Sequence, residues 1–125
     1  MTDAVMTFGL PAYPAYYMEN DDLADERAIV DRLIRGGLER GYEVSVHDGE
    51  ERVISRSRSY ENVTSYIALT DMTVLSFFDT SVSGPAGKGR VILIHGNGSD
   101  VVHDHTDNDM TADLVAFATG EDYRV

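Results

Sequence analysis

Apolar and polar positions recur along this chain in two rhythms, one helical and one alternating, and the switches between them mark out its elements. Within residues 20–40, Ile29, Val30, Leu33, Ile34 and Leu38 recur at helical spacing and predict one buried stripe. Asp22 is placed to cap this helix. Asp25 and Glu26 fall in its first turn, near the positive end of the helix dipole, with Arg35 and Arg40 toward the other end. Gly36-Gly37 weakens the last turn by roughly 1 kcal/mol per glycine relative to alanine, which points to a strand approaching closely there. Gly41 is a natural stop.

Residues 42–47 then alternate, with Tyr42, Val44 and Val46 on one face and Glu43, Ser45 and His47 on the other. This is a strand with one wet side. Asp48-Gly49 signals a tight reversal, and 51–57 returns as its partner. Ser59 caps a second, shorter helix that turns Tyr60, Val63 and Ile67 inward. Val74, Leu75, Phe77 and Phe78 make a third strand. The stretch 83–89 (SGPAGKG) reads as a mobile loop. In the fourth strand, 90–95, the unbroken run Val91, Ile92, Leu93 and Ile94 is the pattern of a strand covered on both faces. Asn97-Gly98 is a strong hairpin signal, with 101–105 as the fifth strand. Asp107 or Asn108 caps a final helix with Met110, Leu114 and Phe117 inward, and Gly120 ends it.

The order is α-β-β-α-β-β-β-α. It predicts an α+β fold, a mostly antiparallel five-stranded sheet with helices packed on one face. Residues 21–120 form a single domain, preceded by an irregular arm at 1–20 and followed by a frayed tail at 121–125. The arm's Tyr13, Tyr16 and Tyr17 are expected to lie on the domain itself; docking on a second copy, making a dimer, is the other use for them. A chain of 125 residues is long enough to bury roughly two thirds of its unfolded surface unaided. Without cysteine it has no disulfide, thiolate metal site or cysteine nucleophile. No apolar run approaches ~18 residues, so a membrane-spanning helix has no support.

Charge changes the picture more than composition does. Twenty-two acids stand against ten bases, a net of −12. Residues 27–58 hold seven arginines and six acids and are nearly neutral, so the remainder, with sixteen acids and three bases, carries a net of −13. Such a field repels nucleic acid and anionic membrane and attracts a basic protein surface, although solvation alone also accounts for acidic surfaces. Two clusters stand out. Glu19, Asp21, Asp22, Asp25 and Glu26 form one, and Asp100, Asp104, Asp107, Asp109 and Asp113 the other. On a firm scaffold, arrays of this kind satisfy the Lys and Arg residues that a protein keeps for phosphates.

Candidate catalytic chemistry is thinner. His103 and His105 share a strand face at the spacing that two ligands of one metal need, and with Asp107 they form an alternative hydrolytic metal site. Whether His95 joins them depends on loop parity: a three-residue turn puts it on their face, a two-residue turn on the opposite one. No G-x-S-x-G elbow and no phosphate-cradling glycine motif is present. Phosphate binding therefore has no support beyond Lys88 and Arg90. Arg52, Arg56 and Arg58 alternate on one strand, and pairing with Glu43, Glu50 and Glu61 is preferred for them over anion binding. No catalytic residue and no cofactor is assigned.

Three stretches, YEVSVHDGEE at 42–51, IHGNG at 94–98 and VHDHTDN at 102–108, resemble those of small hypothetical proteins carried by bacteriophages and prophages. The likeness covers roughly residues 28–118. That family has no assigned reaction, so no residue role carries over. What the resemblance implies is a phage setting, where small acidic proteins often inhibit host defence, as anti-CRISPR proteins do. The expected function is polyanion mimicry in the host cytoplasm: not an enzyme, but an inhibitor of a basic, nucleic-acid-binding effector, with the two acid clusters as contact surface.

Overall fold

The computed structural model describes residues 9–120; the expectations for the first eight residues of the arm and for the 121–125 tail lie outside them. A short helix α1 (Ala15–Glu19) and a 3-10 turn (Asp21–Leu23) lead into α2 (Ala24–Glu39). Then come β1 (Glu43–His47), β2 (Arg52–Ser57), α3 (Tyr60–Thr64), β3 (Met72–Phe78), β4 (Lys88–Ile94), β5 (Val102–His105) and α4 (Asp109–Thr119). The strands form one antiparallel sheet in the order β2-β1-β3-β4-β5. No helix among the described residues is long and apolar enough to cross a membrane.

The core is built where the two rhythms meet. Ile29, Val30, Leu33, Ile34 and Leu38 of α2 are buried against Val44, Val46, Leu75, Phe77, Val91 and Leu93 from the inward face of the sheet. Each such side chain contributes roughly 1.5–3 kcal/mol relative to exposure. Gly36 and Gly37 make this packing possible. A Cβ at Gly37 would lie 2.5 Å from the Phe77 ring, and one at Gly36 3.0 Å from Phe117 and 3.1 Å from Leu114. The glycine pair thus admits both a strand residue and helix α4. Arg32 Nε donates to Ala118 O at 2.8 Å, and Gly36 lies against Leu114, so α4 runs antiparallel to α2.

Several local expectations change. The arm is not wholly irregular: α1 carries Tyr17 into the core, and Ala12 N donates to Thr64 Oγ1 at 2.7 Å. Asp22 caps nothing. Asn20 instead accepts from Asp22 N at 2.9 Å, which starts a 3-10 turn ahead of α2. Ser59 and Asn108 do cap α3 and α4, accepting from Asn62 N and Thr111 N at 3.1 Å each. The buried side of α4 is Thr111, Leu114, Val115 and Ala118, because the helix is rotated to meet both α2 and β4. Phe117 is left partly exposed beneath the Arg40 guanidinium, 5.1 Å from its ring.

β4 is covered on one face only: Val91 and Leu93 are buried, while Ile92 and Ile94 are half-buried on the open face beside Val74 and Met72. The 83–89 stretch is not all loop, since Pro85–Gly87 is a 3-10 turn and Lys88 and Gly89 begin β4. Asn97-Gly98 does not form a two-residue hairpin. Positive φ falls on Gly96 (97°) and Gly98 (59°), Asn97 stays at −99°, and a 3-10 turn at Gly98–Asp100 lengthens the connection.

Candidate functional site

The last turn before β5 is held from inside by a buried carboxylate. Glu26 lies on the inward stripe of α2, fully buried. Its Oε1 accepts from the Gly96 amide at 2.7 Å. Its Oε2 accepts from the Tyr17 hydroxyl at 2.7 Å and faces His95 Nδ1 at 2.6 Å. The other ring nitrogen, Nε2, lies 2.7 Å from Thr73 Oγ1, and that oxygen accepts from Ala68 N at 3.2 Å. A proton on Nδ1 satisfies the whole chain: Nδ1–H donates to Glu26, and the Thr73 hydroxyl donates to Nε2. The Tyr17 ring meets the imidazole edge-on, 5.6 Å between centroids.

Carboxylate, imidazole and hydroxyl follow one another here as in a nucleophilic triad. The resemblance ends at burial. Thr73 has no exposed surface, so its hydroxyl meets no substrate carbonyl. The chain instead ties α1, α2, β3 and the 95–96 backbone into one unit. Glu26 therefore leaves the candidate contact surface, because burial and three partners occupy its carboxylate.

The remaining predicted residues fall in three places. Glu19, Asp21, Asp22 and Asp25 are exposed at the N-terminal end of α2. The 96–100 turn is clamped against that same end by Glu26, and Asp100 borders a hollow with Ile29, one turn on from Asp25. Asp100 therefore joins the first cluster. Asp107, Asp109 and Asp113 lie at the start of α4, beside the C-terminal half of α2. At about 1.5 Å per residue of helix, this is roughly 20 Å from the first cluster. Asp104 pairs with Ile92 and projects on the open face of the sheet. The ten acids do not make one stripe; five exposed carboxylates make one end.

The histidines do not converge either. β5 is irregular opposite Ile92 and Leu93, whose partners are Asp104 and Val102, which leaves His103 exposed in the bulge. His105 Nδ1 lies 2.9 Å from Thr106 O, and His95 is engaged by Glu26. Among the described residues no group of three His, Cys, Asp or Glu side chains can hold a metal ion. The site proposed on His103, His105 and Asp107 is thus not assembled.

A second network locks the arm down. Asp31 Oδ1 accepts from the Tyr13 hydroxyl at 2.7 Å and from the Tyr60 hydroxyl, while Oδ2 accepts from Arg35 Nε at 2.7 Å. The Arg35 guanidinium lies over the Tyr60 ring, 4.3 Å from its centroid. Burial, then the Asp31 carboxylate, raises the Tyr13 phenol well above its ordinary value and pushes Tyr60 up to about 12. The spacing of Arg27, Asp31 and Arg35 predicts a solvated face; the tyrosines make it an anchor.

On β2, Arg56 and Arg58 both pair with Glu43, at 2.6 and 3.9 Å, as preferred for them; Arg52 forms no ion pair among the described residues. Compared with family models, with curated proteins and with solved structures, this chain matches none.

Proposed function

We propose that this chain is a binding protein that seats its carboxylate end in the basic groove of a nucleic-acid-binding partner and blocks that groove. The observation that supports the reading is the gathering of Glu19, Asp21, Asp22, Asp25 and Asp100 at one end. Four come from one stretch of chain, and the fifth arrives from 75 residues beyond Asp25 on a turn clamped by Glu26. None of the five forms an ion pair among the described residues. Carboxylates held by a rigid scaffold satisfy the same Lys and Arg side chains as a run of phosphates does, and without the entropy cost of ordering a loose tail. In the phage setting that the sequence motifs imply, the partner is a host defence effector, and the chain acts in the host cytoplasm.

The test is a pull-down from bacterial lysate with the wild-type chain and with a variant carrying Asp21→Lys, Asp22→Lys, Asp25→Lys and Asp100→Lys. A partner retained by the wild type, released by added duplex DNA and lost in the variant fits the proposal. Retention by a correctly folded variant, or indifference to DNA, contradicts it.

A further inference from the structure

The opposite side of the molecule carries the reverse charge. The open face of the sheet bears Arg52, Lys88 and Arg90, and none forms an ion pair among the described residues of a chain whose net charge is −12. Among the described residues the one carboxylate bordering the hollows of this face is Asp104, which shares a small one of about 180 Å³ with Arg90, Ile92 and Thr106, and Glu43 is taken by Arg56 and Arg58. Arg52 and Arg90 lie three strands apart, on β2 and β4. At about 4.8 Å per strand spacing, and with Arg90 two residues along from the position in line with Arg52, this separates their backbones by roughly 16 Å, which two arginine side chains can span.

Between them the face is hollowed. A cavity of about 490 Å³ is bordered by Arg52, Ser76, Phe78, Lys88, Arg90 and Thr106, with Gly84-Pro85 as its wall. A second, of about 210 Å³, shares Arg52, Ser76 and Arg90 and reaches Val74 and His47. The register explains the continuity: Ser76 stands opposite both Ser45 and Arg90, and His47 opposite both Val74 and Arg52. The floor therefore combines small hydroxyls with the apolar surface of Val74 and of Phe78, whose ring carries the Arg56 guanidinium 4.2 Å from its centroid, under a rim of three further cations.

We propose that this trough binds a mononucleotide, with its phosphate held by Arg52, Lys88 and Arg90 and its base laid in the larger cavity against the Phe78 side chain. Guanidinium forks match phosphate oxygens in pairs, and a mostly apolar hollow with a few placed polar groups is the form that small-ligand sites take. A small ligand fits better than a strand of nucleic acid. Its charge lies wholly within the positive rim, whereas a longer polyanion would run out over the chain's carboxylates. This inference is independent of the proposed inhibitory role, because the trough and the acidic end share no residue.

The experiment is calorimetric titration of the full chain with AMP, GMP, CMP and UMP, and with adenosine, inorganic phosphate and a single-stranded decanucleotide as probes. Amide chemical shifts are followed in parallel. The proposal expects saturable binding of at least one mononucleotide, with shifts centred on Ser76 and Lys88. Arg52→Gln and Arg90→Gln should each weaken it by about tenfold or more at an unchanged melting temperature. It is overturned if no mononucleotide binds at millimolar concentration, or if shifts centre elsewhere. It is equally overturned if phosphate alone or the decanucleotide binds as tightly, or if both glutamine variants bind like the wild type.

Discussion

A single carboxylate shows how this fold uses a charge. Glu26 is buried, and its two oxygens answer three donors from α1, the 95–96 turn and the His95 ring. Removing it strands all three, so Glu26→Ala should lower stability by about 3–5 kcal/mol in urea unfolding, and exchange at the Gly96 amide should quicken more than at β3 amides. A loss below about 1 kcal/mol would mean that the clamp contributes little. Gly37 gives a second residue-scale test. Helix propensity alone predicts that Gly37→Ala stabilises by about 1 kcal/mol, but the Cβ would enter the Phe77 ring at 2.5 Å. Overpacking should win, with a net loss of roughly 1–3 kcal/mol. The phenols give a pH signature. Tyr60 is pushed up to about 12, from an unfolded value near 10. Its contribution is therefore fully present below about pH 10 and is lost as pH rises from there toward 12. Tyr60→Phe should make that alkaline fall shallower, as followed by thermal melts between pH 9 and 12.

At the scale of elements, caps and terminators carry much of the local specification. Asn108 does two jobs. Its side-chain oxygen accepts from Thr111 N at the start of α4, and its amide donates to Lys88 O at 2.8 Å, which ties the helix to β4. Asn108→Ala should cost about 1 kcal/mol for the cap and more for the lost tie. Asn108→Asp should recover only the cap, a difference that urea titration resolves. The elements themselves were largely legible in the sequence: the alternation in 42–47, the stripe of α2, Ser59, Asn108 and Gly120 each act locally and were read locally. What escaped were features set by distant partners. The rotation of α4 depends on Gly36 and Gly89 leaving room for it, which its own pattern does not encode. The burial of Glu26 had a trace, because it lies on the same stripe as Ile29, Val30 and Leu33. Its partner His95, however, comes 69 residues later. The 95–101 turn departs from the Asn97-Gly98 hairpin signal because Gly96 and Gly98, not Asn97, take the positive φ.

Over the whole molecule, five exposed carboxylates gather at one end of the helical layer, and three cations without an ion pair among the described residues, Arg52, Lys88 and Arg90, gather on the open sheet face. Little in the local pattern announces the cationic face, since Arg52 and Arg90 are 38 residues apart and meet only through the order β2-β1-β3-β4. The two acid clusters likewise read as one contact surface of ten residues, of which the fold assembles five at one end. Binding through that end should weaken steeply as salt rises past physiological strength, where the screening length is about 8 Å. The most direct test is a hydrogen-exchange footprint of the chain with and without its captured partner. The account predicts new protection at residues 19–26 and 96–100 and none along α4. Protection confined to α4 or to the open sheet face would contradict it.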